Sequence, residues 1–367
     1  MLDSGTIILI GVASLLIGLI ALRHPDRLGE LVANVRNQAG SILISLPLGA
    51  LAVATIALMT GMTGLASAEQ AKPQNFLQTH PVEFPNGTLA YNGVTYSTEV
   101  GYRPLRLDIY RNPKTTAPAP VILFIHGGAW EGGNRQAQGK FADFPSVLAD
   151  LAAKGYVVAS AEHRLSGEAP FPAPYDDVQA AIRFLKDNAT SYGINPEKFG
   201  IWGSSSGGQL AALAAVACNS NTLTRVRDKT PTTSTCVNTA AIWNGVFDFK
   251  AMEPAPTPAQ NGHPRSRLLE CNPGYCTNTV LETASPISYV DAHAPSFFLA
   301  HSRDDKVVPF AQSTEFEKKL KENGVAVSTY YVEGLQHGFV SDDPKVTKEA
   351  GEELLKRTVE YFDHTLK

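Results

Sequence analysis

The chain has 367 residues, 44% hydrophobic and 18% charged, with 31 basic against 35 acidic side chains. That apolar content supports a sizeable core and excludes a disordered chain. A formal net charge of −4 gives no electrostatic reason to expect nucleic acid as a partner, and only 4 Cys exclude a disulfide knot.

Charge is unevenly spread. Residues 1–68 hold only three basic and three acidic side chains and read as a membrane or signal segment with two uncharged stretches, 6–22 and 41–68. The second ends in Ala66-Ser67-Ala68, the small-residue pattern of a signal-peptidase site, which predicts cleavage after Ala68. Arg23, Arg27 and Arg36 lie between the stretches and would hold that loop in the cytoplasm. Two anchoring helices are one reading. A cleaved signal beginning just before Arg36 is the other. Both predict an exported protein, periplasmic or extracellular, membrane-tethered if uncleaved.

Residues 69–93 read as a linker, most clearly over the proline-interrupted stretch from Pro73 to Pro85. From Val94 to the C-terminus the pattern is that of one domain. Val94–Val100 and Leu105–Tyr110 alternate with period 2, as in an antiparallel hairpin. Val121–Ile125 is fully apolar, the mark of a strand buried on both faces. Further strands are predicted at Tyr156–Ala161, Lys198–Trp202, Ala240–Trp243, Phe297–Ala300 and Val327–Val332. Helical stripes fall at Asp176–Asn188, Ser206–Ala217, Ser313–Glu322 and Val346–Phe362. The alternation predicts an α/β fold: a mostly parallel sheet with helices on both faces and an N-terminal antiparallel hairpin. Residues 250–285 show no clear period and read as a lid-like insertion or pocket wall.

Cys218, Cys236, Cys271 and Cys276 all follow the hydrophobic segment, and an oxidising compartment would pair them as neighbours, Cys218–Cys236 and Cys271–Cys276. Spacing alone leaves other connectivities open. A zinc site would need a second tight ligand pair beside Cys271 and Cys276, and the sequence offers none.

Three loops carry chemistry. Gly203-Ser204-Ser205-Ser206-Gly207 follows a strand and opens a helix, the setting in which a G-x-S-x-G element lifts its central hydroxyl out of the sheet. His126-Gly127-Gly128-Ala129-Trp130 follows the Val121–Ile125 strand, where backbone N–H groups can receive an oxyanion. The donors are expected from Gly128, Ala129 and Ser206, with His126 as scaffold. Of nine histidines, His337 lies in a loop between the last strand and the last helix, on the sheet edge that carries Ser205. His163, His263, His293 and His301 read as structural or exposed. The carboxylate that orients the base should follow the preceding strand, where Asp304 and Asp305 both stand, the other being solvated or paired with Arg303 or Lys306. The order Ser…Asp…His suits this architecture.

These residues resemble the alpha/beta-hydrolase superfamily, in particular its exported esterase and lipase-like branch, which includes the hormone-sensitive-lipase group and the bacterial feruloyl and acetyl-xylan esterase-like proteins. The similarity runs from about Val94 to Phe362 and rests on HGGAW, His163-Arg164-Leu165 with Phe171-Pro172 and Asp176-Asp177, GSSSGG, DKVVP and Gln336-His337-Gly338-Phe339. The family pattern places the aspartate two residues before V-V-P, which selects Asp305. Two departures stand out: Ala129 replaces the third glycine of the commoner HGGG run, and His163 replaces a usual tyrosine. The resemblance implies a carboxylic-ester hydrolase with Ser205 as nucleophile, His337 as base and Asp305 as its partner, needing no metal or organic cofactor. Its substrate would be a small-molecule ester or one linked to polysaccharide or lipid. An amidase or peptidase on the same scaffold and a non-catalytic membrane-tethered binding module are the competing readings.

Overall fold

The computed structural model describes residues 80–218, 220, 223, 233–252, 264–271 and 275–367. The membrane or signal segment expected over 1–68 and the first part of the expected linker lie outside these residues. Among the described residues no helix is long and apolar enough to cross a membrane.

Nine strands of the described residues form one sheet: β1 (Val82–Glu83), β2 (Leu89–Ser97), β3 (Leu105–Arg111), β4 (Ala119–Ile125), β5 (Val157–Ala161), β6 (Ile194–Ser204), β7 (Thr239–Trp243), β8 (Ser296–Ser302) and β9 (Val327–Val332). Their order is β1-β2-β3-β5-β4-β6-β7-β8-β9. The first three are antiparallel, β3 meets β5 antiparallel, and every pair from β5 to β9 is parallel. The eight helices of the described residues are α1 (Phe144–Ala153), α2 (Ala173–Asp187), α3 (Ala189–Tyr192), α4 (Ser206–Val216), α5 (Pro264–Leu269), α6 (Asn278–Ala284), α7 (Ala311–Glu322) and α8 (Pro344–Leu366).

The inner parallel strands β4, β5 and β7 are mostly apolar and almost wholly buried because both faces are covered, whereas β9 at the edge is partly exposed. In β4, Val121, Leu123 and Ile125 pack into the layer of α2, α4 and α7, whereas Ile122 and Phe124 pack with α1 and α8. Period-2 alternation thus feeds two cores from one strand.

Two expectations from the sequence differ from the structure. β2 begins at Leu89, inside the expected linker, and β1 lies there as well. The alternation is hidden because the β2–β3 register shifts between Tyr91 and Val94, at a bulge where Gly93 has φ of 68° and donates its N–H to Asp108 Oδ1 at 2.6 Å. The insertion 250–285 contains α5 and α6, helices of 6 and 7 residues, too short to display a helical period.

A buried ion pair fixes the loop after β5. Arg164 meets the Asp177 carboxylate through Nη2 at 2.6 Å and donates its own backbone N–H to the same group at 2.7 Å, with both side chains almost wholly buried. Removing one partner strands the other charge in the core, so Asp177→Ala should cost about 3–5 kcal/mol. Urea denaturation should show the loss as a lowered midpoint with an unchanged slope.

Candidate active site

The expected loops meet along one edge of the sheet, where the parallel strands end. Ser205 stands between β6 and α4 with φ 56° and ψ −123°, the strained backbone of a sharp strand-to-helix elbow. Its N–H donates to Trp243 O at 2.8 Å, which ties the elbow to the end of β7. Gly207 makes this turn possible: a Cβ there would lie 2.2 Å from His126 O, so any side chain would push α4 off the end of β4. Gly127 answers from the other side, since a Cβ on it would lie 2.8 Å from Ser204 O and 3.3 Å from Ser205 Cβ. The two loops are in backbone contact.

His337 Nε2 lies 2.9 Å from Ser205 Oγ, and His337 Nδ1 lies 2.7 Å from Asp305 Oδ2. Asp305 is buried, and its Oδ1 accepts the N–H groups of Val307 and Val308 at 2.8 and 2.9 Å. Burial alone would raise its pKa. Hydrogen bonds from His301 and His337, together with the His337 charge and the Val308 N–H, outweigh burial and hold the carboxyl well below the usual carboxylate range. Asp305 is therefore ionised across the neutral range. Asp304 serves another purpose. It accepts the Gly334 N–H at 2.6 Å and so ties the loop after β8 to the loop that carries His337. Asp304 is exposed to solvent, as expected of the second carboxylate, and its neighbour Arg303 lies 3.7 Å from Glu333 instead.

The turn after β4 has positive φ at three successive residues, 126° at Gly128, 55° at Ala129 and 59° at Trp130, and is strained at the two that are not glycine. Among the described residues, the N–H groups of Gly128, Ala129 and Ser206 donate to no protein acceptor. Trp130 anchors the turn: its Nε1–H donates to Gln209 Oε1 at 2.9 Å, and Gln209 Nε2 donates to Ala284 O of α6 at 2.9 Å. Glu131 lies 3.1 Å from Arg267 of α5. Helices α5 and α6 of the insertion are thereby fastened to the turn after β4 and to the first turn of α4.

His126 and His163 stack at 4.4 Å with their ring planes 17° apart. Burial, reinforced by His163, pushes His126 down to about 3, and burial lowers His163 as well, so both rings are neutral scaffold. Cys218–Cys236 and Cys271–Cys276 are the disulfide pairs.

Two groups around Asp305 are not legible as site residues in the sequence. Asn244, fully buried after β7, donates Nδ2–H to Asp305 Oδ2 at 3.1 Å. His301, at the end of β8, has its Nε2 3.3 Å from the same oxygen. Each sits at the end of a parallel strand, on the edge where sites form, and that position is the available signal.

The BD-FAE family model matches residues 107–320. The chain belongs to that family. A second model, the dienelactone hydrolase family, matches residues 278–366. Among curated proteins, esterase LipQ of Mycobacterium tuberculosis is 34% identical over 63% of this chain. The probable carboxylic ester hydrolase LipM of the same organism is 30% identical over 63%. The chain spans about half the length of these relatives, 53% of each. Among solved structures, a truncated carbohydrate esterase from gut microbiota superposes with a TM-score of 0.63 at 28% identity, over 75% of this chain and 95% of that one. The BD-FAE member described here thus has the fold and the relatives of alpha/beta-hydrolase esterases.

Proposed function

We propose that this chain is an exported serine carboxylic-ester hydrolase that works through an acyl-enzyme on Ser205. The observation that carries the reading is the unbroken relay from Ser205 Oγ through His337 to Asp305, beside a turn whose Gly128 and Ala129 N–H groups have no acceptor among the described residues. His337 Nε2 takes the proton of Ser205 as Oγ attacks the ester carbonyl. The carbonyl oxygen becomes an oxyanion held by the N–H groups of Gly128, Ala129 and Ser206. As the C–O bond to the alcohol breaks, Nε2 gives that proton to the departing oxygen. Water then attacks the acyl-enzyme, losing a proton to the same Nε2, and the acid leaves as Ser205 recovers its hydrogen. Asp305 stays ionised and keeps the proton of Nδ1 on the side away from Ser205.

Esters of small or saccharide alcohols are the proposed substrates, a reading supported by the carbohydrate esterase among the structural relatives. Export is supported by the uncharged stretches ahead of Glu69 and by two disulfides, which persist in oxidising compartments.

The test is covalent. A fluorophosphonate probe added to the oxidised protein should label Ser205, located by peptide mass, and labelling should disappear in His337→Ala. Matched ester and anilide substrates should differ strongly in favour of the ester. Equal rates on the two would replace the esterase with an amidase, and a folded protein that takes no label would leave a binding module.

A further inference from the structure

Chemistry assigned to Ser205, His337 and Asp305 leaves a second histidine of the same cluster without a role. His301 is completely buried at the end of β8. Its Nδ1 lies 2.6 Å from Ser313 Oγ on α7, and its Nε2 lies 3.0 Å from Val308 O and 3.3 Å from Asp305 Oδ2. A carbonyl oxygen can only accept, so Nε2 carries the proton and Nδ1 receives the Ser313 hydroxyl. The tautomer is thus fixed by its partners: Nε2–H donates to Val308 O, with Asp305 Oδ2 3.3 Å from the same nitrogen. Val308 closes the ring of contacts, because its own N–H donates to Asp305 Oδ1 at 2.9 Å.

We propose that His301 is a positioning residue for the acyl-transfer centre: from behind Asp305 it holds Oδ2 where His337 Nδ1 meets it and makes that oxygen a weaker base. The inference rests on the triad reading above. The titratable groups facing Asp305 are His337, from the loop after β9, and His301, from β8. Asn244 and the N–H groups of Val307 and Val308 complete its surroundings. Each donor to Oδ2 spreads its charge, which limits how strongly the carboxylate favours the imidazolium form of His337. Without His301, Oδ2 attracts the His337 proton more strongly. The resting enzyme then needs a higher pH to present a neutral base, and the acid limb of kcat/KM moves up. A ring that merely fills space would lower the melting temperature or kcat and leave that limb where it was.

The experiment compares the full chain, oxidised, as wild type, His301→Leu, His301→Gln and Ser313→Ala, with p-nitrophenyl acetate as substrate across pH. Leucine removes both hydrogen bonds, whereas glutamine can donate to Oδ2 and accept from Ser313. The acid limb should rise by about half a pH unit in His301→Leu, a threefold change in proton concentration. It should return to the wild-type position in His301→Gln. Ser313→Ala, which leaves the ring but frees Nδ1, should move the limb the same way by less, and it decides the matter if the leucine variant does not fold. The downfield Nδ1–H proton resonance of His337 should move and be restored in the same pattern. Superimposed limbs in wild type and His301→Leu, or in wild type and Ser313→Ala where leucine does not fold, overturn the inference. A wild-type protein without Ser205-dependent turnover sinks the triad reading instead, and the resonance comparison, which needs no substrate, still decides whether His301 acts on the Asp305–His337 pair.

Discussion

Ser205→Ala should lose at least about ten-thousandfold in kcat on ester substrates while melting close to wild type. Alanine keeps the Cβ that the elbow already accommodates at φ 56°, so the backbone bears no new strain. What disappears is the hydroxyl oxygen 2.9 Å from His337 Nε2. Neighbouring hydroxyls offer no substitute, since Ser204 and Ser206 are both buried and no hydrogen bond links either to His337. His337→Ala should cost about as much, and the double variant little more than either single one, because nucleophile and base act as one unit. Stopped assays with high enzyme concentration, paired with circular-dichroism melts, measure both quantities. Retention of more than a tenth of the turnover in Ser205→Ala would place the nucleophile elsewhere. Additive losses would mean that His337 does not serve Ser205.

Sequence and structure agree where the local signal and the global fold ask for the same residue. Val121–Ile125 had to be a buried strand, and a G-x-S-x-G following the next parallel strand but one had a defined place on the sheet edge. Histidine after the last strand and aspartate after the one before it then fell on that same edge by topology alone. Legibility failed where side chains meet Asp305 from the back. Asn244 belongs to no motif, and its φ of 47° shows only in three dimensions. His301 lies four residues before Asp305 and resembles any other core histidine, because nothing in the sequence says that β8 turns its ring toward the carboxylate. Asp304 and Asp305 could be separated from sequence only by a family pattern. Structurally the distinction is plain: Asp305 accepts two successive backbone N–H groups beyond it, while Asp304 reaches across to Gly334. The insertion shows no period in sequence because its helices are too short to repeat one, although Leu268, Leu269, Leu281 and Ala284 reach the main core and Ala284 O accepts from Gln209.

Asp305→Asn should reduce kcat by about ten-thousandfold without unfolding the protein, and the surroundings of the carboxylate say why. Its Oδ1 receives two backbone N–H donors, from Val307 and Val308, which cannot turn away. An asparagine must therefore keep its carbonyl oxygen there and place its NH2 where Oδ2 now stands. That position faces His337 Nδ1 at 2.7 Å. Two donors cannot share a hydrogen bond, so His337 adopts the other neutral tautomer, accepting at Nδ1 and carrying its proton on Nε2. Nε2–H then points at Ser205 Oγ and has no lone pair with which to take the serine proton. Asn244 can follow the change, because its Oδ1 has no hydrogen-bond partner among the described residues and an amide flip would present that oxygen to the new NH2, while His301 Nε2–H keeps Val308 O as its acceptor. The variant is thus expected to stay packed and fail chemically. Nitrogen chemical shifts of His337 should report a protonated Nε2 in Asp305→Asn and a protonated Nδ1 in wild type, each read above the imidazole's own titration. A variant with wild-type tautomer and turnover within tenfold would show that the carboxylate's charge, rather than its acceptor geometry, is dispensable, and Asp305 would lose its place in the relay.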